Sequence, residues 1–357
     1  MPTVSSACRL AAVLLAATTL SSIAIAQTPA SQTPAAAPAV QAHIPTETRA
    51  DPNLPRTSFG QPSLEGQWGS NWVLPLEASP RTPMLIVPEA AAKQIALGYA
   101  KGVGDALDKQ LDPEVPETMR NVEGLPKVRG ERRTRAVVIP ANGMLPYTPE
   151  GQARLKRGNG RDLYDNIEER PNWERCIRSL GQPPVFPIGS GNPREFIQTP
   201  TQIVIHTEYG DEARIIPFTD THKPKMFWGL LGDSIAKWEG NTLVVETVGM
   251  PDKDAVRLFP SFVVSSEAKV IERYTRLGTD ELLYQFTVID PKIYSEPWMG
   301  EFSIYKLNGR LFEHACHEGN YSVPNILRAA RVKEERASVT PASTPAKPAA
   351  QPAVARQ

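Results

Sequence analysis

The sequence predicts a mainly β protein, an antiparallel up-and-down barrel with a few peripheral helices. Between Thr201 and Tyr321 apolar and polar residues alternate at a period of two, in about eight segments of strand length. Short connections with turn residues join several of them: Gly240-Asn241, Gly278-Thr279-Asp280 and Asn308-Gly309. Strands joined this way pair antiparallel. A meander of that size loses its exposed edges by curling closed, and its interior then holds packed side chains or one small ligand.

Residues 1–26 read as a signal peptide. Arg9 precedes the apolar run LAAVLLAATTLSSIAIA, and Ala24-Ile25-Ala26 supplies the small-x-small site before Gln27. Cys8 lies ahead of that run and leaves with it. The expected location is therefore periplasmic or secreted, with no membrane span in the mature form. Residues 27–58 are an Ala/Pro-rich linker and 337–357 a tail of like composition, both expected to be disordered. What remains, 59–336, fits a single β-barrel domain with helical and loop additions. The 39 basic and 39 acidic residues balance, and no basic face carries interleaved aromatics, which argues against nucleic acid as a partner. The basic run Lys127–Arg135 reads as a solvated loop or edge.

Within the domain, LEGQW (Leu64–Trp68) places a Gly-x-Trp at its head. This resembles the opening of lipocalin-like folds, where the tryptophan plugs one end of the barrel; Trp68 and Trp72 equally suit an ordinary core. Ala-rich spacing from Pro88 to Leu107 predicts a helix, and Thr134–Ile139 a strand. Thr148 as cap and Pro149 in the first turn open a second helix that runs to Arg157. The Pro-, Gly- and Asn-rich span Gly158–Pro200 predicts a long ordered loop over one barrel mouth, with Gly189-Ser190-Gly191 supplying flexibility. The strand segments follow: TQIVIHTE, ARIIPF, SIAKWE, NTLVVETVG, AKVIERYTRL, ELLYQFTVID, EPWMGEFSIYKL and RLFEHACHE.

Outside the signal only Cys176 and Cys316 remain of three cysteines, and in an exported chain they most simply form one disulfide. Closing a loop of that length contributes up to roughly 4–5 kcal/mol on the chain-entropy model. The competing reading is a metal site at His314, Cys316, His317 and Glu318. No second cluster with ligand spacing exists, so no metal is expected. Strand alternation puts Ile203, Ile205 and Thr207 on one face of TQIVIHTE, and Gln202, Val204, His206 and Glu208 on the other, which is either outer surface or the lining of a polar cavity. Arg214 interrupts the next strand and Asp220-Thr221-His222 closes it. If the two strands form a hairpin, His206, Glu208, Arg214 and His222 could converge as base, acid and anion clamp. Tyr284, Phe286, Trp298, Phe302 and Ile304, with Phe312, form an aromatic-rich face suited to a core or to an apolar or aromatic ligand. There is no G-x-S-x-G, Walker loop, G-x-G-x-x-G or H-E-x-x-H, and no cofactor is expected.

Taken together, LPYTPEGQARLKR, WERC, QTPTQIVIHTE, RIIPFTDTHKP, GDSIAKWEGNTLVVET, VIERYTR, LLYQFTVIDP and EHACHEGNY resemble a family of exported bacterial β-rich, lipocalin-like proteins with no assigned activity. WEGNTLVVET and CHEGNY are the most specific stretches. The resemblance spans about Leu145–Arg331 and implies secretion, one β domain and a reserved role for His222, Trp238, Cys316 and His317. Three functions from different classes follow. The first is a periplasmic enzyme acting on a small, partly apolar or aromatic molecule by cofactor-free acid/base chemistry, as a lyase, isomerase or hydrolase. His206, Glu208, Arg214, His222 and His317 would be its catalytic candidates, and Trp238, Tyr284, Phe286, Trp298 and Phe302 would line its substrate. The second is a non-catalytic carrier of the same molecule. The third is a structural envelope or interaction protein with a filled barrel. The enzyme is preferred on the sequence, which fixes no oligomeric state. Convergence of His206, Glu208, Arg214 and His222 in one pocket is what it and the carrier require.

Overall fold

The expected alternation folds as strands over most of its length. A computed structural model of the chain describes residues 53–69, 74–108, 124–157, 164–170, 172, 174–177, 181–186, 192–251 and 262–339. The signal, most of the linker, Trp72, Gly189-Ser190-Gly191 and residues 340–357 lie outside them. Strands are β1 Gly66–Gly69, β2 Lys127–Val128, β3 Glu131–Arg132, β4 Val137–Ile139, β5 Arg194–Gln198, β6 Gln202–Thr207, β7 Glu212–Pro217, β8 Asp233–Glu239, β9 Thr242–Val248, β10 Lys269–Arg276, β11 Glu281–Ile289 and β12 Trp298–Lys306. Helices are α1 Glu89–Asp108, α2 Pro149–Arg157 and α3 Ser322–Val339.

The protein is mainly β, with a nearly closed barrel-like sheet in the order β7-β6-β5-β1-β12-β11-β10-β9-β8 and β4 beside β12. Neighbours in this row are antiparallel throughout. Because nine alternating strands form the row, its two ends point the same way, and Phe218 meets Ala236 of β8 in a parallel bridge. A parallel pair needs a long return connection. Residues 218–232 supply it along the seam.

Four expectations are corrected. RLFEHACHE is not a strand, and Asn308-Gly309 does not turn a hairpin: after β12 the chain leaves the sheet and runs through turns to α3. Its alternation is overridden by side contacts. Phe312, expected in the aromatic stripe, is 75% exposed, and its N–H donates to Glu208. The loop expected up to Pro200 gives way to β5 at Arg194, which supplies the barrel with a strand the sequence reading lacks.

Local chemistry sets the helices. Thr148 Oγ1 accepts the Gly151 N–H at 3.0 Å, capping α2 with Pro149 in the first turn as expected. Glu89 in the first turn of α1 pairs with Arg132, tying that helix to the β2–β3 hairpin. No described helix is long and apolar enough to cross a membrane.

Inside the barrel, Val270, Tyr274, Leu282, Tyr284, Phe286, Val288, Trp298, Phe302 and Ile304 face Phe196, Ile203, Ile205 and Ile216, all buried. Trp68 sits at one end, its Nε1 donating to the Leu64 carbonyl at 2.9 Å with Arg276 over its ring at 5.3 Å. The covering segment does more than cover. Phe186 packs against Phe262, Phe286 and Phe302 with centroids 5.1–5.9 Å apart, and the Val185 N–H donates to the Tyr284 hydroxyl at 3.0 Å. The chain thus inserts its own aromatic plug into the barrel. Apolar burial on this scale, about 1.5–3 kcal/mol for each large side chain, is the main force holding wall and plug together.

Candidate functional site

A wall of apolar side chains cannot solvate polar groups, so those inside must satisfy one another. Glu272 of β10 is the hub. Its Oε1 accepts the Tyr274 and Tyr284 hydroxyls, each at 2.9 Å, and Arg214 Nη1 at 3.2 Å; Oε2 accepts Arg214 Nη2 at 2.6 Å. Arg214 Nη2 also reaches the hydroxyls of Ser234 and Thr247, both at 3.1 Å, so one guanidinium joins β7 to β8, β9 and β10. Burial alone would push the Arg214 pKa down, and the Glu272 carboxylate more than reverses this, leaving it raised. Burial, with the Glu272 charge added, drives both tyrosines well above their usual range and keeps them protonated donors. A carboxylate holding four donors has its acceptor capacity filled and is no base for a substrate.

Arg194 lies on the same inner face. It is 1% exposed, and neither its Nε nor its Nη1 has a hydrogen-bond partner. Thr207, its register partner on β6, is equally buried with an unmet hydroxyl.

The predicted acid/base residues do not join this centre. His206 points outward from β6 to Asp211 at 2.8 Å, whereas Arg214 points inward from the neighbouring strand. Glu208 follows β6 and is occupied by the Phe312 N–H at 2.9 Å. His222 lies outside the barrel, with Nδ1 2.8 Å from Asp233 and Nε2 3.3 Å from Glu246. Partial burial raises the Glu246 pKa, and Lys269 with His222 more than offsets this to hold it below its ordinary value. His222 thereby anchors the start of the seam crossover. His317 is exposed in the turn after Cys316. The hairpin exists, as expected; because successive strand residues face opposite sides, it separates these groups instead of gathering them.

The aromatic candidates do gather. Tyr284, Phe286, Trp298 and Phe302 stack with Phe186 and Phe262 at centroid distances of 5.0–5.9 Å, and Trp238 closes the inner end of β8, half-buried. Cys176 and Cys316 form a disulfide, Sγ–Sγ 2.07 Å, which draws Cys316 out of the alternative cluster with His314, His317 and Glu318. Asn320 reinforces the tie by donating to the Glu174 carbonyl at 2.9 Å. Among the described residues no group of three or more His, Cys, Asp or Glu is arranged to hold a metal ion.

Sequence reasoning missed Glu272, Tyr274 and Arg194. The signal for the first two was a face of VIERYTR on which Val270, Glu272 and Tyr274 alternate with Ile271 and Arg273: a charge on an otherwise apolar face marks a buried, paired group. For Arg194 no such signal existed, because REFIQ puts Arg194 and Gln198 inward and Ile197 outward. Compared with protein-family models, with curated proteins and with solved structures, the chain matches none.

Proposed function

We propose that the protein is a non-catalytic, exported interaction protein, a filled β-barrel that presents its seam crossover to a protein of the cell envelope. The observation that carries this reading is the crossover itself. Met226 and Phe227 are 82% and 66% exposed, Leu230 is exposed beside them, and they stand at the tip of a braced loop. Trp228 Nε1 donates to the Lys223 carbonyl at 2.9 Å, the Gly232 N–H to the Gly229 carbonyl at 3.0 Å, and His222 fixes the loop base to Asp233. A braced loop displays its apolar groups without the ordering cost of a free one, and Met and aromatic residues are the types enriched in interface centres. Lys223 and Lys225 flank the tip and favour a partner whose apolar pocket is ringed by carboxylates.

Two further observations support this reading over an enzyme. The titratable candidates are split between the two sides of the sheet, and Phe186 occupies the aromatic interior where a substrate would lie. Export agrees with the disulfide, since such bonds persist in oxidising compartments.

The test is photo-cross-linking in the native envelope with a photoreactive residue at position 227, and the same residue at position 312 as an equally exposed control. A discrete protein adduct at 227, absent at 312 and lost on Lys223→Glu/Lys225→Glu, is the expected outcome. No adduct, or adducts to lipid alone, would overturn the proposal. Turnover of a small molecule that disappears in His222→Ala would restore the enzyme.

A further inference from the structure

The crossover that follows β7 is fastened at its base by one imidazole set between two carboxylates. His222 Nδ1 lies 2.8 Å from Asp233 Oδ2 on β8, and His222 Nε2 lies 3.3 Å from Glu246 Oε1 on β9. Register places Glu246 opposite Ile235, two residues from Asp233, so both carboxylates stand on the same face of the β8–β9 ladder and the ring bridges them diagonally. Each ring nitrogen thus meets an oxygen that only accepts. An imidazole has two N–H donors only as the cation, so the geometry is that of an imidazolium.

Loss of one proton cannot leave both contacts in place. The shorter contact, to Asp233, retains the ring proton, and the Nε2 lone pair then faces a Glu246 oxygen, acceptor against acceptor. The crossover keeps its tie to β8 and loses its tie to β9. Two lysines complete the charged surroundings of the ring. Lys223, next in the chain, donates its N–H to Asp233 at 3.0 Å and brings its Nζ to 3.8 Å from the same carboxylate, and Lys269 of β10 lies 2.9 Å from Glu246. These lysines oppose the imidazolium and the two carboxylates favour it. Partial burial acts to raise the Glu246 pKa, and Lys269 with His222 outweighs it, so that carboxyl stays ionised. Lysine and carboxylate charges are ordinarily fixed between about pH 5 and 8, the range in which an imidazole ordinarily changes its own.

We infer that His222 is a proton-operated clasp: charged, it holds the crossover to β8 and β9 together; neutral, it releases β9 and loosens the loop that carries Met226, Phe227 and Leu230. The clasped arrangement favours the proton, so its stabilisation is present at low pH and is lost as pH rises through the titration of the ring. The consequence for binding rests on the reading of the crossover as a docking surface. A loosened loop must be ordered when it docks, so the partner is held best on the acidic side of neutral.

The test follows hydrogen exchange of the Phe227, Trp228 and Gly232 amides, which donate to the Pro224, Lys225 and Gly229 carbonyls within the crossover. The oxidised protein is used, and each rate is divided by the intrinsic rate of that amide at the same pH. From about pH 6 to about pH 8 protection should fall about tenfold, the effect of losing one hydrogen bond between charged groups at a part-exposed position. Glu246→Gln offers an NH2 to the Nε2 lone pair and an oxygen to Lys269, so it holds the neutral ring and should keep protection nearly constant over that range. His206→Gln, which removes the exposed histidine beside Asp211, should fall as the parent does. Protection independent of pH in the parent, an undiminished fall in Glu246→Gln, or a fall abolished by His206→Gln would each overturn the clasp. Cross-linking at position 227, repeated at both pH values, separates the two readings. Exchange that depends on pH with no adduct at either value removes the partner and leaves the clasp, whereas equal adducts with exchange independent of pH remove the clasp and leave the partner.

Discussion

Removing the Glu272 carboxylate is the sharpest test of the buried centre. Glu272→Gln keeps the shape and one acceptor oxygen for Tyr274 and Tyr284, but turns an amide NH2 toward Arg214, donor against donor. It also leaves two guanidinium groups in the interior with no carboxylate to answer them. Breaking a buried pair from one side costs about 3–5 kcal/mol. For a domain of this size each kcal/mol moves Tm by roughly 2–4 °C, so the fall should be roughly 6–20 °C, measured by far-ultraviolet circular dichroism on the oxidised protein. The paired variant Glu272→Leu/Arg214→Met removes both charges and should lose less than the sum of its two singles. A Glu272→Gln protein within about 1 kcal/mol of the parent, or strict additivity in the pair, would refute the hub assignment.

Three more outcomes are expected. Cys316→Ser, or reduction of the parent, should lower stability by up to roughly 4–5 kcal/mol in urea unfolding, and make residues 307–321 the first site of limited proteolysis. Glu77 is half-buried and its pKa is raised by desolvation above the ordinary 4.5, only partly opposed by the Leu145 N–H. The folded state thus holds that proton more tightly than the unfolded state, and stability from this group is full below 4.5 and lost as pH rises through the raised value. Glu77→Gln, which can keep the Leu145 hydrogen bond, should flatten that part of the pH–stability curve. Gly300→Ala should cost about 1–3 kcal/mol and weaken the near-ultraviolet aromatic signal, because its new methyl would lie 2.2 Å from the Phe286 ring.

What the sequence made legible was the wall. β6 to β12 coincide with the segments that alternate, and the caps of α2 stand where Thr148 and Pro149 put them. β5 escaped because its inward residues include Arg194 and Gln198, so polarity runs against the usual sense. RLFEHACHE misled because alternation there reflects exposure along a tethered loop. α3 was not read at all, although it continues to Val339, past the start of the expected tail. The candidate site suffered from a different gap. Alternation sorts β6 into two faces and cannot say which is inside; that depends on Ile205 facing Arg214 and, through it, Glu272 on β10, a contact 58 positions away in the chain.

The parallel seam has a mechanical consequence. Among the described residues the backbone joins β7's end to β8 through the Phe218–Ala236 bridge, so the wall can part there without rupturing any antiparallel ladder. The Arg214 side chain spans that line and acts as a latch. Water admitted by a brief parting would reach the charged latch first, where hydration compensates for what opening costs, and the aromatic interior last. The line of weakest backbone pairing thus runs under the same crossover that carries Met226 and Phe227, with the Arg214 side chain tying β7 to Ser234 of β8 across it.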